Sequence, residues 1–83
     1  MHVVLRYHGI VGDAIRPRVD AVDLPEGATV GDLLDEIGGR SERNAAVLRQ
    51  VSVFVEGQPA ERATALGEGV TVTLMRPIGG GDW

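Results

Sequence analysis

The order of apolar patterns in this chain predicts an α+β domain in which a mixed sheet packs on one main helix. Three observations carry that expectation: strict alternation across residues 2–8, a helical repeat of apolar residues from 30 to 37, and two further alternating stretches after Val51. With 83 residues one domain with a thin core is expected, a second module is not, and a deep buried active site would be hard to build.

Taken in chain order, Val3, Leu5 and Tyr7 fall on one face of the first strand and Val4, Arg6 and His8 on the other, as in a strand with one buried side. Gly9, Gly12 and Asp13 interrupt the alternation, and residues 19–24 resume a shorter apolar stretch, so a hairpin with a long loop is expected. Pro25-Glu26-Gly27 signals a turn. Thr29 followed three residues later by Asp32 approximates a capping box and starts a helix with Thr29 as its N-cap. Val30, Leu33, Leu34 and Ile37 recur at i, i+3, i+4 and i+7 and share one face, which leaves Asp32, Asp35 and Glu36 to water. Gly38-Gly39 is expected to stop that helix.

Residues 41–50 begin polar and then carry Ala45, Ala46, Val47 and Leu48, which fits either a short second helical turn or an ordered loop. Val51, Val53 and Val55 alternate with Ser52, Phe54 and Glu56 in a third strand, and Glu56-Gly57 turns the chain into a short segment at 58–60. Val70, Val72 and Leu74 alternate with Thr71, Thr73 and Met75 in the last strand. Strand, strand, helix, strand, short strand, strand is the ubiquitin-like β-grasp pattern. A domain over residues 1–78 with a flexible glycine-rich tail over 79–83 is the expected organisation.

Composition narrows the function. Hydrophobic residues are 43% and charged residues 24% of the chain, values of ordinary soluble domains, so a core forms without help. There is no apolar run long enough to span a bilayer and no basic-then-apolar leader at Met1, which makes the cytoplasm the expected location. The lack of cysteine removes disulfides, thiolate metal sites, iron–sulfur ligation and thiol nucleophiles together. A net charge of −4 with no basic cluster counts against nucleic acid and against anionic membranes. All eight basic residues are Arg, so amide-linked chains of the ubiquitin kind could extend this protein only through its amino terminus.

The segment that carries chemistry is the last one. Arg76 and Pro77 lead into Ile78-Gly79-Gly80-Gly81, followed by Asp82-Trp83. Pro77 stops sheet pairing, and three glycines without Cβ atoms can lie extended in a channel too narrow for side chains. A carboxylate is a poor electrophile and must be activated, for instance as a mixed anhydride with AMP, before sulfur or nitrogen attacks it. With no phosphate-binding loop, this chain binds no cofactor of its own in that step, and ATP is the activating partner's to hold.

On these residues the chain resembles the ThiS/MoaD family of ubiquitin-like sulfur carriers. The resemblance rests on Leu24-Pro25-Glu26-Gly27-Ala28-Thr29-Val30-Gly31-Asp32-Leu33-Leu34 at the helix entry, Val53-Phe54-Val55-Glu56-Gly57 in the third strand, Leu66-Gly67-Glu68-Gly69 before the last strand, and Pro77-Ile78-Gly79-Gly80-Gly81. It implies a non-enzyme whose terminal diglycine, here Gly80-Gly81, is adenylated by an E1-like adenylating enzyme and converted to a thiocarboxylate. That thiocarboxylate would deliver sulfur to a sulfur-accepting biosynthetic enzyme. Tyr7-His8-Gly9-Ile10 departs from the family's usual opening hairpin. Asp82-Trp83 departs further, because the family needs a free glycine carboxylate. Removal of Asp82 and Trp83 by a JAMM-type metalloprotease, as in some family members, is the expected remedy.

Other candidates are weaker. His2 and His8 lie about 20 Å apart along one strand at about 3.3 Å per residue, too far to share a metal ion. Ser41 and Ser52 have no motif that brings a base beside them. Phe54 and Met75 fall opposite the inward valines, where they either pack under a loop or, exposed together, form an apolar docking patch for the activating enzyme, rimmed by Arg6 and Arg76. Three readings follow: a sulfur carrier, a ubiquitin-like protein modifier conjugated through the same diglycine, or a binding-only module indifferent to truncation at Ile78.

Overall fold

The structure, a computed structural model, describes residues 1–9 and 11–76. Among the described residues five strands and three helices follow one another as β1 (His2–His8), α1 (Val11–Ala14), β2 (Ala21–Asp23), α2 (Val30–Gly38), α3 (Glu42–Leu48), β3 (Ser52–Val55), β4 (Gln58–Ala60) and β5 (Thr71–Met75). They form one mixed sheet of order β2-β1-β5-β3-β4. This is a β-grasp fold, with the first and last strands paired in parallel at its centre. The parallel register sets His8 opposite Met75 and Val4 opposite Thr71, so the chain leaves β5 at the edge of the sheet where β1 ends.

The inward face follows the alternation expected from the sequence. Val3, Leu5, Val53, Val72 and Leu74 are buried, and they meet Val30, Leu33, Leu34 and Ile37 from the apolar face of α2. Asp32, Asp35 and Glu36 lie on the exposed side of that helix. Thr29 is the N-cap as expected: its hydroxyl accepts from the Asp32 N–H at 3.3 Å while the Asp32 carboxylate accepts from the Thr29 N–H at 2.9 Å. The preceding orphan donors are met across the fold, since Val30 N–H reaches the Thr64 carbonyl at 2.9 Å and Gly31 N–H the Arg62 carbonyl at 2.8 Å. Gly31 permits that approach, because a Cβ there would sit 3.2 Å from the Arg62 carbonyl oxygen.

Three details differ from the sequence-based expectation. The long loop of the opening hairpin contains the one-turn helix α1, and β2 is confined to Ala21–Asp23. Residues 41–50 hold a true helix, α3, capped by Ser41, whose side chain accepts from the Asn44 N–H at 3.1 Å. Gly39 does end α2, but in a right-handed conformation with φ of −68° and ψ of −10°, because the chain turns directly into α3 and no left-handed glycine is required. The buried Asn44 joins these pieces: its Oδ1 accepts from the Arg16 N–H at 3.2 Å and its Nδ2 donates to the Ile37 carbonyl at 3.3 Å. That side chain ties the segment after α1 to the last turn of α2, with both of its polar ends satisfied.

Candidate functional site

Gly79, Gly80, Gly81, Asp82 and Trp83, on which the carrier chemistry would act, lie outside the described residues, as do Pro77 and Ile78. What the structure defines is the platform from which they issue. β5 is flanked on one side by β1 and on the other by β3, so the last described residues, Met75 and Arg76, emerge from the middle of the sheet and not from an edge strand.

Strand pairing arranges the face opposite α2 in rows. Arg6, Thr73, Phe54 and Pro59 follow one another across β1, β5, β3 and β4. The neighbouring row, nearer the departing chain, runs His8, Met75, Ser52. Paired residues share a face, so Phe54 and Met75 stand diagonally across β3 and β5, about 7–8 Å apart, within reach of large side chains. Both are half-buried, whereas Arg6 and His8 at the side of the patch are exposed. The result is an apolar centre flanked by the Arg6 guanidinium.

Arg76 does not belong to that rim. One residue beyond Met75, it faces the helices and lines an open cleft of about 310 Å³ with Val11, Ala14, Ala46, Val47, Gln50 and Val51. Strand alternation explains the difference, since Met75 and Arg76 take opposite faces. The sequence offers His8 only as half of a histidine pair too far apart for a metal and gives Pro59 no role. The signal for His8 is its place two residues after Arg6 on the same strand face, whereas only the register reveals Pro59 as the neighbour of Phe54.

The electrostatics are simple. His2 and His8 occupy opposite ends of β1, and His2 Nδ1 lies 3.1 Å from Asp23 Oδ1. Among the described residues no group of acidic and imidazole side chains is arranged to hold a metal ion. Tyr7 donates its hydroxyl proton to the Val19 carbonyl, and the Arg18 guanidinium sits 5.1 Å from its ring centre. Burial, followed by the negative charge of Asp20, pushes the Tyr7 pKa above its ordinary value. Among the described residues no helix is long and apolar enough to cross a membrane.

The model of the ThiS family matches residues 11–81, most of the chain. The chain belongs to the ThiS family. Solved structures agree on the fold. Small archaeal modifier protein 1 from Haloferax volcanii superimposes with a TM-score of 0.79 at 22% identity, covering 96% of this chain and 99% of that one. A putative molybdopterin converting factor subunit 1 from Pyrococcus furiosus gives 0.76 at 23% identity, with 93% and 98% covered. A chain from the complex of subunits 1 and 2 of the molybdopterin-converting factor of Helicobacter pylori 26695 gives 0.67 at 18% identity, with 93% and 95% covered. No curated protein sequence matches this ThiS family chain.

Proposed function

We propose that this ThiS family chain is a sulfur carrier, not an enzyme, whose working group is the carboxyl end of Gly81 once Asp82 and whatever follows it have been removed. The main support is that the family match extends to residue 81, so Gly79-Gly80-Gly81 fall within it and Asp82-Trp83 beyond it. The tail follows directly from a central strand of a β-grasp sheet, which gives a partner a rigid body to hold while the glycines enter its channel.

In this reading an E1-like enzyme supplies ATP. The freed Gly81 carboxylate attacks the α-phosphorus, pyrophosphate leaves, and the acyl-adenylate forms. A sulfur nucleophile then forms a bond to the carbonyl carbon, and AMP departs with the electron pair of the broken C–O bond. Where that nucleophile is a partner's persulfide, a second thiolate attacks the partner's sulfur, and the S–S bond breaks with its electron pair left on the acylated sulfur. The partner departs as a disulfide, and the freed thiocarboxylate attacks an electrophilic substrate on a biosynthetic enzyme. The fold's likeness to a chain from the two-subunit molybdopterin-converting factor supports an acceptor that docks on this body. The Phe54, Met75 and Arg6 face is the proposed docking surface for the activating partner, with Arg76 contacting partners on the helical side of the tail root. A zinc-dependent protease of the JAMM type is the proposed trimming enzyme, and the cytoplasm the proposed compartment.

A modifier reading, in which the same adenylate passes to an amine of another protein, is favoured by the likeness to small archaeal modifier protein 1. Intact-mass analysis of the protein isolated from its own cells separates the two. A chain ending at Gly81 with one oxygen replaced by sulfur supports the carrier, whereas isopeptide-linked conjugates without that species support the modifier. A full-length form alone would refute both.

A further inference from the structure

We propose that this chain is a donor only: once Gly81 is activated, no amine of its own body can capture the acyl group, which passes only to a nucleophile brought by a partner. This rests on the proposed activation at Gly81. Self-capture would require an amine lone pair to form a C–N bond to the Gly81 carbonyl carbon. The C–O bond to AMP would break with its electron pair leaving on AMP, and the amine proton would go to water.

Composition supplies the first half of the argument. All eight basic residues are Arg. A guanidinium remains protonated far above neutral pH and has no lone pair to offer. The described body therefore carries no side-chain amine.

Topology supplies the second half. The Met1 amine is held by the Leu24 carbonyl at 2.8 Å. It lies at the start of β1, whereas the parallel pairing of His8 with Met75 makes the tail depart where β1 finishes. Eight residue steps of about 3.3 Å separate the level of Met1 from that of Arg76, or about 26 Å. The five residues from 77 to 81 span at most about 18 Å fully extended. The amine is thus out of reach by about 8 Å, before any detour around the sheet is counted.

The nucleophiles nearest the tail root are the imidazole of His8 and the hydroxyl of Ser52, in the row with Met75. An acyl-imidazole is reopened by water, and an unactivated hydroxyl is a poor competitor, so neither leaves an amide. On the carrier route the activated end survives until sulfur arrives. On the modifier route an attached copy offers the next copy no side-chain amine, so a chain of copies could extend only through the amino terminus.

The test needs neither an activating enzyme nor a sulfur pathway. Residues 1–81 are prepared as a carboxyl-terminal thioester by intein thiolysis, checked by circular dichroism against the full chain, and incubated dilute at mildly alkaline pH. The expected products are thioester and hydrolysed acid only. His8→Lys, beside the tail root, should cyclise with loss of the thiol, at least about tenfold above the parent, while Asp23→Lys at the opposite end of the sheet should not. A parent that cyclises through Met1, a folded His8→Lys that fails to cyclise, or an Asp23→Lys that cyclises equally well would each overturn the proposal. Because the thioester is made chemically, these outcomes stay distinct from failure of the sulfur-carrier reading.

Discussion

His8 and Met75 are register partners in the parallel pair at the centre of the sheet, and the chain runs on from Met75 through Arg76 toward its three glycines. The last described residues therefore continue a strand that is hydrogen-bonded on both sides.

The sheet face opposite α2 gives the first prediction. Phe54→Asp places a charge at the centre of the Arg6, Thr73, Phe54, Pro59 row without entering the core beneath. The yield of thiocarboxylated protein in its own cells should fall by about tenfold or more while the amide spectrum stays native. Arg6→Glu should reduce it further in the same direction. Arg76→Glu should combine additively with Phe54→Ala, because the two residues lie on opposite faces of the sheet. Strong coupling between Arg76 and Phe54 would contradict the assignment of faces.

Asn44 gives the second. Replacing it with Leu keeps the number and branching of side-chain heavy atoms but removes the acceptor of the Arg16 N–H and a donor to the Ile37 carbonyl. Chemical denaturation should register a loss of about 1–3 kcal/mol, in line with removing two buried hydrogen bonds that join α3 to its neighbours.

At the start of α2, Thr29→Ala removes the acceptor for the Asp32 N–H and breaks the reciprocal cap. The expected cost is about 1 kcal/mol by denaturant melting. Asp32→Ala should cost less, because the Thr29 hydroxyl keeps its own bond to the backbone.

Tyr7 sets a pH dependence. Its folded pKa is raised, chiefly by burial, so above about pH 10 the unfolded chain loses the phenolic proton before the folded chain does. The folded state then binds more protons, and stability falls as pH rises. The contribution is whole below the unfolded pKa and is lost as pH climbs through the folded one. Tyr7→Phe should lower the melting temperature at neutral pH by removing the bond to Val19, and should flatten the alkaline decline.

Much of this architecture was legible in the residues themselves. Alternation in β1, β3 and β5 reports burial on one side of a sheet, and the spacing of Val30, Leu33, Leu34 and Ile37 reports the face that α2 presents to it. Helix α1 was hidden because one turn is too short to establish a period and Gly12-Asp13 also reads as a turn. Helix α3 was left open because Asn44, polar by type, is buried through contacts with Arg16 and Ile37 that are distant in sequence. The side occupied by Arg76 and the proximity of Pro59 to Phe54 depend on register between strands, which local pattern does not encode.

The absence of cysteine makes one measurement especially direct. Soft thiolate-like sulfur binds mercury strongly, and this chain has no thiol of its own to confuse the result. Protein isolated from its own cells, electrophoresed in a gel containing an immobilised organomercurial, should be retarded relative to an ordinary gel. A chain lacking Gly80 and Gly81 should migrate normally in both. Unretarded migration of a protein trimmed to Gly81, from cells in which its pathway is running, would contradict the claim that this terminus carries sulfur.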